Sequence, residues 1–422
     1  MEMLIPKAEE VRLSLAAPPS KSFTHRGMIC AALAKGSSSL YHPLVADDTL
    51  ITERALGQMG ARFARKGEIL EVEGTGGRLA CTSGGELDMG DSGTSMRLLS
   101  SVALLCGNPV VLTGSQRMKE RPLGPLMDGL VQLGGTVRYL GNEGFPPVEL
   151  SGELRGGVTR IAGEISSQFI SSVLIAAPYA TNDVEIVARG TPVSRSYLDI
   201  TLEVMRRFGV DVQRTGYQSF RVRSGTHYQG TRYPIEGDYS SASYFFALAA
   251  ITGGEVTVSG LNPESFQGDR NFLDILSGMG CRVSWAGTAA TVTRDSALKG
   301  IEVDMSSSPD TVQTLCMVAA CAKSPSIISG ISHLKFKESD RLAGTKDLLS
   351  SLGGRVSIDD DLMRIEPSPL HGGVIDPGND HRTAMSFAVL GLGVGGITIR
   401  NAECVNKSYP GFWDVLRDGG LV

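Results

Sequence analysis

The sequence predicts an α/β protein built from six copies of one unit. In each copy a polar loop leads into an apolar helix, and an amphipathic stretch is then followed by a glycine and alternating strand residues. The glycines recur at a period of roughly 70 residues, too long and too mixed for the common solenoid repeats. They are Gly60, Gly134, Gly209, Gly280 and Gly353, with a shorter sixth copy around Gly419.

The first half of each copy predicts a buried helix with a polar start. These segments begin near residues 19, 90, 164, 237, 307 and 379. Each has Ser, Thr or Asp where a helix cap is expected and then turns almost wholly apolar. If the equivalent helix starts face one cleft, their positive dipole ends converge there, which suits an anionic ligand. The alternative at this point is a six-copy scaffold without chemistry.

The second half of each copy predicts a helix, a glycine at its C-terminal end and a hairpin. The GLGVGG segment at 391–396 has the form of a dinucleotide-binding loop. It follows a predicted helix and precedes a strand, the reverse of that loop's order, so we interpret it as a helix-to-strand turn.

The repeats divide the chain into two lobes of three units, because a single core stops growing near about 250–300 residues. The boundary is expected in TRYPIEGD at 231–238. We assign 18–234 to the first lobe, and 1–17 with 235–422 to the second. A strand predicted at 3–15 is expected to close the second lobe, because the sixth copy is short.

Composition excludes several classes of protein. The 422 residues carry a net charge of −5, which argues against a general nucleic-acid binder. No apolar run approaches the roughly 18 residues of a membrane span, and the N-terminus does not resemble a signal peptide. Seven cysteines without a CxxC pair favour reduced thiols and a cytoplasmic location. The scattered histidines and cysteines give no metal-ligand spacing.

Basic residues concentrate at the loop–helix junctions although the chain is acidic overall. Arginine binds carboxylate and phosphate through two parallel hydrogen bonds. Asp310 and Glu338 lie among these cations, where a carboxylate is a candidate acid or base. The alternative for Glu338 is an ion pair on a helix surface, since it stands three residues before Arg341. The sequence contains no Walker A motif, which argues against a nucleoside triphosphate as the ligand. The basic residues are Lys21, Arg26, Arg97, Lys119, Arg121, Arg195, Lys337, Arg341, Arg382 and Lys407.

The junction motifs resemble those of one family along the whole chain. They are PPSKSFTHR from Pro18, GDSGTSMRLL from Gly90, LTGSQRMKERPLGPLMDGL from Leu112, EISSQFISSVL from Glu164, KFKESDRL from Lys335, NDHRTAMSFAV from Asn379 and CVNKSYPGFW from Cys404. Together they resemble the 3-phosphoshikimate 1-carboxyvinyltransferase family, also called EPSP synthases. The resemblance implies two lobes of three repeats each, with buried helices inside and sheets outside, hinged around a central cleft.

The resemblance also implies a reaction. The enolpyruvyl group of phosphoenolpyruvate would pass to the 5-hydroxyl of shikimate 3-phosphate, with release of phosphate, through a tetrahedral intermediate. The product, 5-enolpyruvylshikimate 3-phosphate, belongs to the shikimate pathway of chorismate and aromatic amino-acid biosynthesis. No metal or organic cofactor is implied, and sensitivity to glyphosate is. We expect a monomer whose partners are these two small substrates, with no nucleic acid or membrane.

A set of site residues follows from the matching motifs. The implied catalytic residues are Asp310, as base toward the 5-hydroxyl, Glu338, as proton donor and acceptor at the methylene carbon, and Lys21. The implied phosphoenolpyruvate ligands are Lys21, Gly93, Arg97, Arg121, Gln168, Arg341, Arg382 and Lys407. The implied shikimate 3-phosphate ligands are Lys21, Ser22, Arg26, Ser166, Ser167, Gln168, Ser194, Asp310, His333 and Lys337, with Tyr197 as a further candidate. The chain departs from the family pattern at His25, Asp91, Ser92, Leu98 and His333, where His333 replaces a common Asn.

Two alternatives stay open at this stage. One is the sister transferase that acts on UDP-N-acetylglucosamine; it has Lys-Asn where this chain has Lys21-Ser22, and it often has a reactive cysteine that is absent from 116–121. The other is a non-catalytic repeat module that binds phosphorylated ligands or RNA ends. Asp310 and Glu338 count against the second alternative.

Overall fold

The computed structural model describes residues 1–81 and 85–422. Its α-helices, in chain order, are α1 (Lys21–Leu33), α2 (Asp47–Gln58), α3 (Gly93–Ala103), α4 (Gly124–Gln132), α5 (Ser167–Ala176), α6 (Ser196–Arg207), α7 (Tyr239–Thr252), α8 (Asn271–Gly278), α9 (Val312–Ala320), α10 (Arg341–Ser351), α11 (His381–Val394) and α12 (Phe412–Asp418). Short 3-10 helices cover Met118–Glu120, Ala177–Tyr179, Gly268–Arg270, Pro309–Thr311, Ser332–Phe336 and Ala402–Lys407.

The strands are short, and helices separate many of them along the chain. In order they are β1 (Met3–Ile5), β2 (Arg12–Ala16), β3 (Ser37–Tyr41), β4 (Arg62–Lys66), β5 (Ile69–Glu73), β6 (Glu86–Asp88), β7 (Val110–Thr113), β8 (Gly135–Tyr139), β9 (Val148–Gly152), β10 (Gly157–Ala162), β11 (Val184–Arg189), β12 (Gln213–Thr215), β13 (Ser219–Val222), β14 (Arg232–Pro234), β15 (Glu255–Ser259), β16 (Cys281–Ala286), β17 (Ala289–Arg294), β18 (Glu302–Asp304), β19 (Ser326–Ser329), β20 (Arg355–Asp359), β21 (Leu362–Glu366), β22 (Gly373–Ile375) and β23 (Ile397–Ile399). The α/β class that the sequence predicts is confirmed.

The chain forms two compact units, each with its own hydrophobic core. The first unit is Pro19–Ile235, and the second is Met1–Pro18 together with Glu236–Val422. The division after Ile235 lies within the stretch 231–238 that the sequence singles out. Within the described ranges, no helix is both long and apolar enough to cross a membrane.

In the first unit, the buried helices are α1, α3 and α5. Helix α3 packs against α5, and α1 packs against α2 and α6. The strand orders of its sheets are β14-β3-β5-β4, β6-β7-β9-β8 and β10-β11-β13-β12. In each sheet the first pair is parallel and the following pairs are antiparallel. The repeat in the sequence is therefore a repeat of strand pairing as well.

In the second unit, α7, α9 and α11 pack against one another and are buried almost throughout. Two of its sheets, β16-β17-β15-β2 and β18-β19-β21-β20, have the same pairing as those of the first unit. The third, β1-β23-β22, is one strand shorter, and β1 pairs antiparallel with β23 there. Strand β1 thus supplies a strand that the short sixth copy lacks.

The single strand expected at 3–15 is wrong in its extent. The segment forms two strands in different sheets, because Glu10 has a φ of 47° and turns the chain between them. Strand β1 pairs with β23, and β2 pairs in parallel with β15. Both strands lie in the second unit.

The repeated glycines end helices, as predicted. Gly60, Gly134, Gly209, Gly280 and Gly353 follow α2, α4, α6, α8 and α10, with φ between 87° and 103°. A left-handed residue directly after a helix favours glycine, because a Cβ is strained there. Each of these glycines leads into an antiparallel hairpin. In the sixth copy the left-handed position is Gly420 rather than Gly419.

The polar helix starts are only partly caps. The side chains of Ser92, Ser166, Asp238 and Asp380 accept a backbone N–H of their helices. At α1 and α9 the capping residue makes no such bond, and α9 follows the 3-10 turn Pro309–Thr311. Asp310 lies inside that turn, so its carboxylate is not used as a cap.

Candidate active site

Arg26 is a fully buried cation in the first unit. It lies on α1 and donates from Nε to Thr201 Oγ1 at 2.7 Å, from Nη1 to the Ser22 carbonyl oxygen at 3.1 Å and from Nη2 to the Tyr197 carbonyl oxygen at 3.3 Å. All three acceptors are neutral, and burial lowers the pKa of Arg26 to about 10. A buried guanidinium with neutral acceptors favours an anion beside it.

Arg97 and Gln168 join the starts of α3 and α5. Arg97 Nη1 donates to Gln168 Oε1 at 2.9 Å, and Gln168 Nε2 donates to Thr94 Oγ1 at 3.0 Å. The Arg97 guanidinium also lies 5.6 Å from the centre of the Phe169 ring. These contacts fix the direction of Arg97, which is implied as a phosphoenolpyruvate ligand, and identify Thr94 as a neighbour that the motifs did not assign.

Arg121 lies directly over Gly93 at the start of α3. A Cβ built on Gly93 would be 2.5 Å from Arg121 Nη1 and 2.6 Å from Nη2. The missing side chain therefore leaves room for a guanidinium beside a helix N-terminus, where an anion is favoured. The two residues, which the resemblance implies as phosphoenolpyruvate ligands, therefore lie side by side.

Lys21 begins α1 and pairs with a buried acid that sequence reasoning missed. Its Nζ lies 3.1 Å from Asp48 Oδ2, and Asp48 is at the start of α2. The Asp48 carbonyl oxygen accepts from Ser95 Oγ at 3.3 Å, and Ser95 Oγ lies 2.7 Å from Thr52 Oγ1. Thr52 in turn contacts His25 Nδ1 at 2.7 Å. The departures His25 and Ser92 thus belong to one buried polar chain that supports the loop before Gly93, since Ser92 Oγ lies 2.7 Å from Ser95 Oγ.

The remaining implied residues of the first unit lie at helix starts. Ser166 caps α5 by accepting from Gln168 N at 3.3 Å, and Ser167 is the first residue of that helix. Ser194 is buried with a φ of 53°, one turn before Tyr197 on α6. Arg195, one of the junction cations, is exposed.

Arg341 is the centre of charge in the second unit. It is 2% exposed and begins α10. It lies 2.8 Å from Glu338 Oε2 through Nη2, 3.2 Å from Asp310 Oδ1 through Nη1 and 2.8 Å from Asp380 Oδ2 through Nε. Burial alone would lower the pKa of Arg341, but the three carboxylates raise it above its ordinary value. The spacing of Glu338 and Arg341 is therefore not a helix-surface pair.

Arg382 holds the other oxygen of Asp310. Arg382 Nη2 lies 2.8 Å from Asp310 Oδ2, and its Nη1 donates to the Asp310 carbonyl oxygen at 3.1 Å. Asp380, which caps α11 ahead of Arg382, also accepts from Ser339 Oγ at 2.8 Å. Burial opposes the charge of Asp380, yet Arg341 and His381 hold its pKa below the ordinary value. Asp380 is a member of the cluster that sequence reasoning did not assign, although it stands in the NDHR motif.

His333 is a neutral imidazole in this cluster. Burial, aided by the charge of Lys337, lowers the pKa of His333 to about 4. Its Nε2 is buried and has no hydrogen-bond partner in the described part of the chain. Lys407 is buried at the end of the 3-10 helix before α12. Within residues 1–81 and 85–422, no group of His, Cys, Asp and Glu is arranged to hold a metal ion.

Each unit thus collects cations and hydrogen-bonding groups at or near the N-terminal ends of several of its helices. The first unit offers buried Arg26, Arg97 and Arg121, and the second offers two arginines in contact with two partly exposed carboxylates. The arginines can bind a phosphate or carboxylate group of a ligand. The carboxylates can exchange protons with that ligand or with a neighbouring hydroxyl.

Comparisons with known proteins agree with this arrangement. A family model described as EPSP synthase (3-phosphoshikimate 1-carboxyvinyltransferase) matches residues 5–416. The 3-phosphoshikimate 1-carboxyvinyltransferase of Methanoregula boonei is 56% identical over 416 residues, with 99% of each chain covered. That of Photobacterium profundum is 40% identical over 406 residues, with 95% of each covered. The solved EPSP synthase of Acinetobacter baumannii matches with a TM-score of 0.82 at 29% identity, over 100% of this chain and 98% of that one. The chain therefore belongs to the EPSP synthase, or 3-phosphoshikimate 1-carboxyvinyltransferase, family.

Proposed function

We propose that this chain transfers the enolpyruvyl group of phosphoenolpyruvate to the 5-hydroxyl of shikimate 3-phosphate and releases phosphate. Family membership supports the reaction, which is a step of the shikimate pathway. One observation carries the assignment of roles: a single guanidinium, Arg341, contacts both Asp310 and Glu338. The two implied acid–base groups therefore flank an implied ligand of the donor phosphate or carboxylate.

The donor ligands are assigned to both units. In the first unit they are Lys21, Gly93, Arg97, Arg121 and Gln168; in the second they are Arg341, Arg382 and Lys407. The contacts Arg97–Gln168 and Arg121–Gly93 support the first set, because each pair is already in place. The second set is supported by the burial of all three cations.

The acceptor ligands follow the same logic. We assign shikimate 3-phosphate to Lys21, Ser22, Arg26, Ser166, Ser167, Gln168, Ser194, Asp310, His333 and Lys337, with Tyr197 as a further candidate. Arg26 supports this set because it is buried and donates to three neutral oxygens. His333 supports it because its buried Nε2 has no hydrogen-bond partner among the residues that the structure describes. The division of 18–234 from 1–17 with 235–422 into lobes with these roles stays a prediction.

The proposed chemistry has two stages. In the addition, Asp310 accepts the proton of the 5-hydroxyl, the 5-oxygen bonds to the central carbon of phosphoenolpyruvate, and Glu338 gives a proton to the methylene carbon. In the elimination, Glu338 takes a proton back from the new methyl group, the carbon–carbon double bond forms again, and the carbon–oxygen bond to phosphate breaks. The phosphate leaves with the bonding electron pair and receives the proton that Asp310 took from the 5-hydroxyl, which returns both acids to their starting states. Lys21 and the arginines stabilise the charge on the phosphate and carboxylate.

The present contacts indicate how the acids become active. Two guanidinium groups favour the ionised form of Asp310, and one favours that of Glu338. When the donor's anionic groups engage Arg341 and Arg382, each carboxylate loses part of this stabilisation and gains proton affinity. The donor would then prepare the groups that transform it.

A phosphate-release assay tests the function. We expect phosphate release from phosphoenolpyruvate with shikimate 3-phosphate as acceptor, and none with UDP-N-acetylglucosamine or without an acceptor. Asp310→Asn should lower the rate by about 10²–10⁴-fold, the usual effect of losing a general base. Glu302→Gln, an exposed acid of the same unit, is the matched control. Release with the nucleotide sugar, or an active Asp310→Asn variant, would contradict the proposal.

We further propose a cytoplasmic monomer. The seven cysteines are free thiols, which is typical of a reducing compartment. Every assigned ligand comes from this one chain. Light scattering measures the mass directly, and activity that appears only with a larger assembly would contradict the monomer.

A further inference from the structure

Asp269 is a buried acid that the reaction described above does not use. It lies in the 3-10 turn Gly268–Arg270, just before α8, and is 5% exposed. Its Oδ2 accepts a hydrogen bond from Ser240 Oγ at the start of α7. Its Oδ1 is buried and has no hydrogen-bond partner in the parts of the chain that the structure describes. A buried carboxylate oxygen without a partner is costly and calls for a reason.

The turn that carries Asp269 is fastened to the turn that carries Asp310. Ser308 Oγ donates to the Gly268 carbonyl oxygen at 2.7 Å, and the two turns pack together against α7. The charged groups that face Asp269 are Asp310 from its turn, Arg382 from α11 and Asp238 from the start of α7. Burial and then Asp310 raise the pKa of Asp269 to about 7, against the opposing effects of Ser240 and Arg382.

Asp310 needs such a neighbour if it is to act as a base. It accepts from Arg341 on α10 and from Arg382 on α11, and both guanidiniums weaken its hold on a proton. The neutral His333 and the buried Tyr244 of α7 also face Asp310. Glu338 and Asp380 share Arg341 with it. A general base works best when its proton affinity matches the working pH. Asp269, in the turn fastened to that of Asp310, adds a further negative charge that acts on Asp310 and offsets the arginines.

We propose that Asp269 is a positioning residue for enolpyruvyl transfer: its ionised carboxylate raises the proton affinity of Asp310, which removes the proton from the acceptor hydroxyl. The proton moves from the 5-oxygen to Asp310, and the charge of Asp269 makes that transfer more favourable. This inference rests on the proposed function. The competing explanation is a purely structural link, through Ser240, between the turn and α7.

The two explanations differ in their dependence on pH. Asp269→Asn removes the charge and can still accept from Ser240. If Asp269 acts through its charge, the ratio of wild-type to variant kcat should rise with pH through the range where Asp269 ionises. We expect a ratio near one at pH 5.5 and a loss of roughly 3- to 30-fold at pH 8.5, a fraction of the full effect of a general base. Taking the ratio cancels the ionisation of the substrates, which both enzymes share.

Two further variants complete the experiment. Ser240→Ala removes the hydrogen bond that favours ionised Asp269, so Asp269 should ionise at higher pH in this variant. The ratio of wild-type to Ser240→Ala kcat should therefore rise with pH and then fall back toward one. This variant tests the inference even if Asp269→Asn does not fold. Glu302→Gln removes one exposed acid of the same unit, and its ratio should stay flat. The inference is overturned if the ratio of wild-type to Asp269→Asn kcat does not change with pH, whether it stays at one or shows the same loss throughout. A wild-type enzyme that releases no phosphate with shikimate 3-phosphate would instead overturn the proposed function.

Discussion

At the scale of single residues, burial without charge compensation is the feature that sets His333 apart from its neighbours. Arg341 is as buried, but three carboxylates support its charge. Burial is the largest influence on the pKa of His333, and the charge of Lys337 adds to it. Asp310 and Asp361 oppose this shift but do not outweigh it. His333 is therefore held neutral, and protonating it should damage the fold.

Replacing His333 should make the fold less sensitive to acid. The folded-state pKa is about 4, below the ordinary value of about 6.5, so between these values the unfolded chain binds more protons. The contribution of His333 to stability thus falls as the pH drops from about 6.5 to about 4. His333→Asn should remove about 1–3 kcal/mol of this loss.

Thermal unfolding at pH 7.5 and pH 5 measures the effect. The drop in Tm between the two should be smaller for His333→Asn than for the wild type. His371→Asn, at an exposed position, is the control and should leave the drop unchanged. Equal drops in all three proteins would contradict a buried neutral imidazole.

At the scale of secondary structure elements, the repeated unit depends on one backbone conformation. In five copies of the unit, a glycine with a left-handed backbone follows the second helix and turns the chain into the hairpin. The surroundings differ, however. Among the described atoms, a Cβ at Gly60 would come within 4 Å only of the Ala80 carbonyl oxygen, at 3.9 Å, whereas at Gly134 it would meet the Glu153 carbonyl oxygen at 2.8 Å.

Three alanine substitutions separate strain from collision. Gly60→Ala should cost about 1–2 kcal/mol, for the left-handed backbone alone. Gly134→Ala should cost more, because fixed backbone blocks the new methyl group. Gly57→Ala, three residues before Gly60 and inside α2 with open space around it, should instead stabilise by about 0.5–1 kcal/mol. Calorimetric unfolding ranks the three, and a Gly60→Ala protein as stable as Gly57→Ala would refute the strain argument.

The sequence predicts the helices and hairpins better than it predicts which strands pair in the sheets. The glycine spacing and the apolar helices are local patterns, so the helices and hairpins could be inferred from residues such as Gly60 and Gly134. Strand pairing is not local: nothing in residues 12–16 indicates that β2 pairs with β15, nor in β14 that it pairs with β3. The same holds for the site, since Asp48, Thr94 and Asp380 acquire their roles from contacts far along the chain. Asp269 has no local signature of its raised pKa, which arises from burial and from Asp310.

At the scale of the whole molecule, the assigned ligands predict where the acceptor should slow hydrogen exchange. Shikimate 3-phosphate is assigned to residues of both units, so it should protect amides around 20–26 and 166–170 and also around 308–312 and 331–337. Hydrogen exchange followed by mass spectrometry measures this, with UDP-N-acetylglucosamine as the control. Protection confined to one unit would show that the ligands assigned to the other unit are wrong.

The pairing of β1 with β23 also bears on how the protein is made. The first unit is contained in residues 19–235 and can fold while the ribosome is still at work. The second unit cannot be finished then, since Met3 must find Ile399. At about 5–20 residues per second, β1 remains unpaired for roughly 20–80 s of translation. During synthesis the residues of β1 thus emerge long before their partner strand and are among the last to join a sheet, which gives a chaperone a long interval in which to bind them.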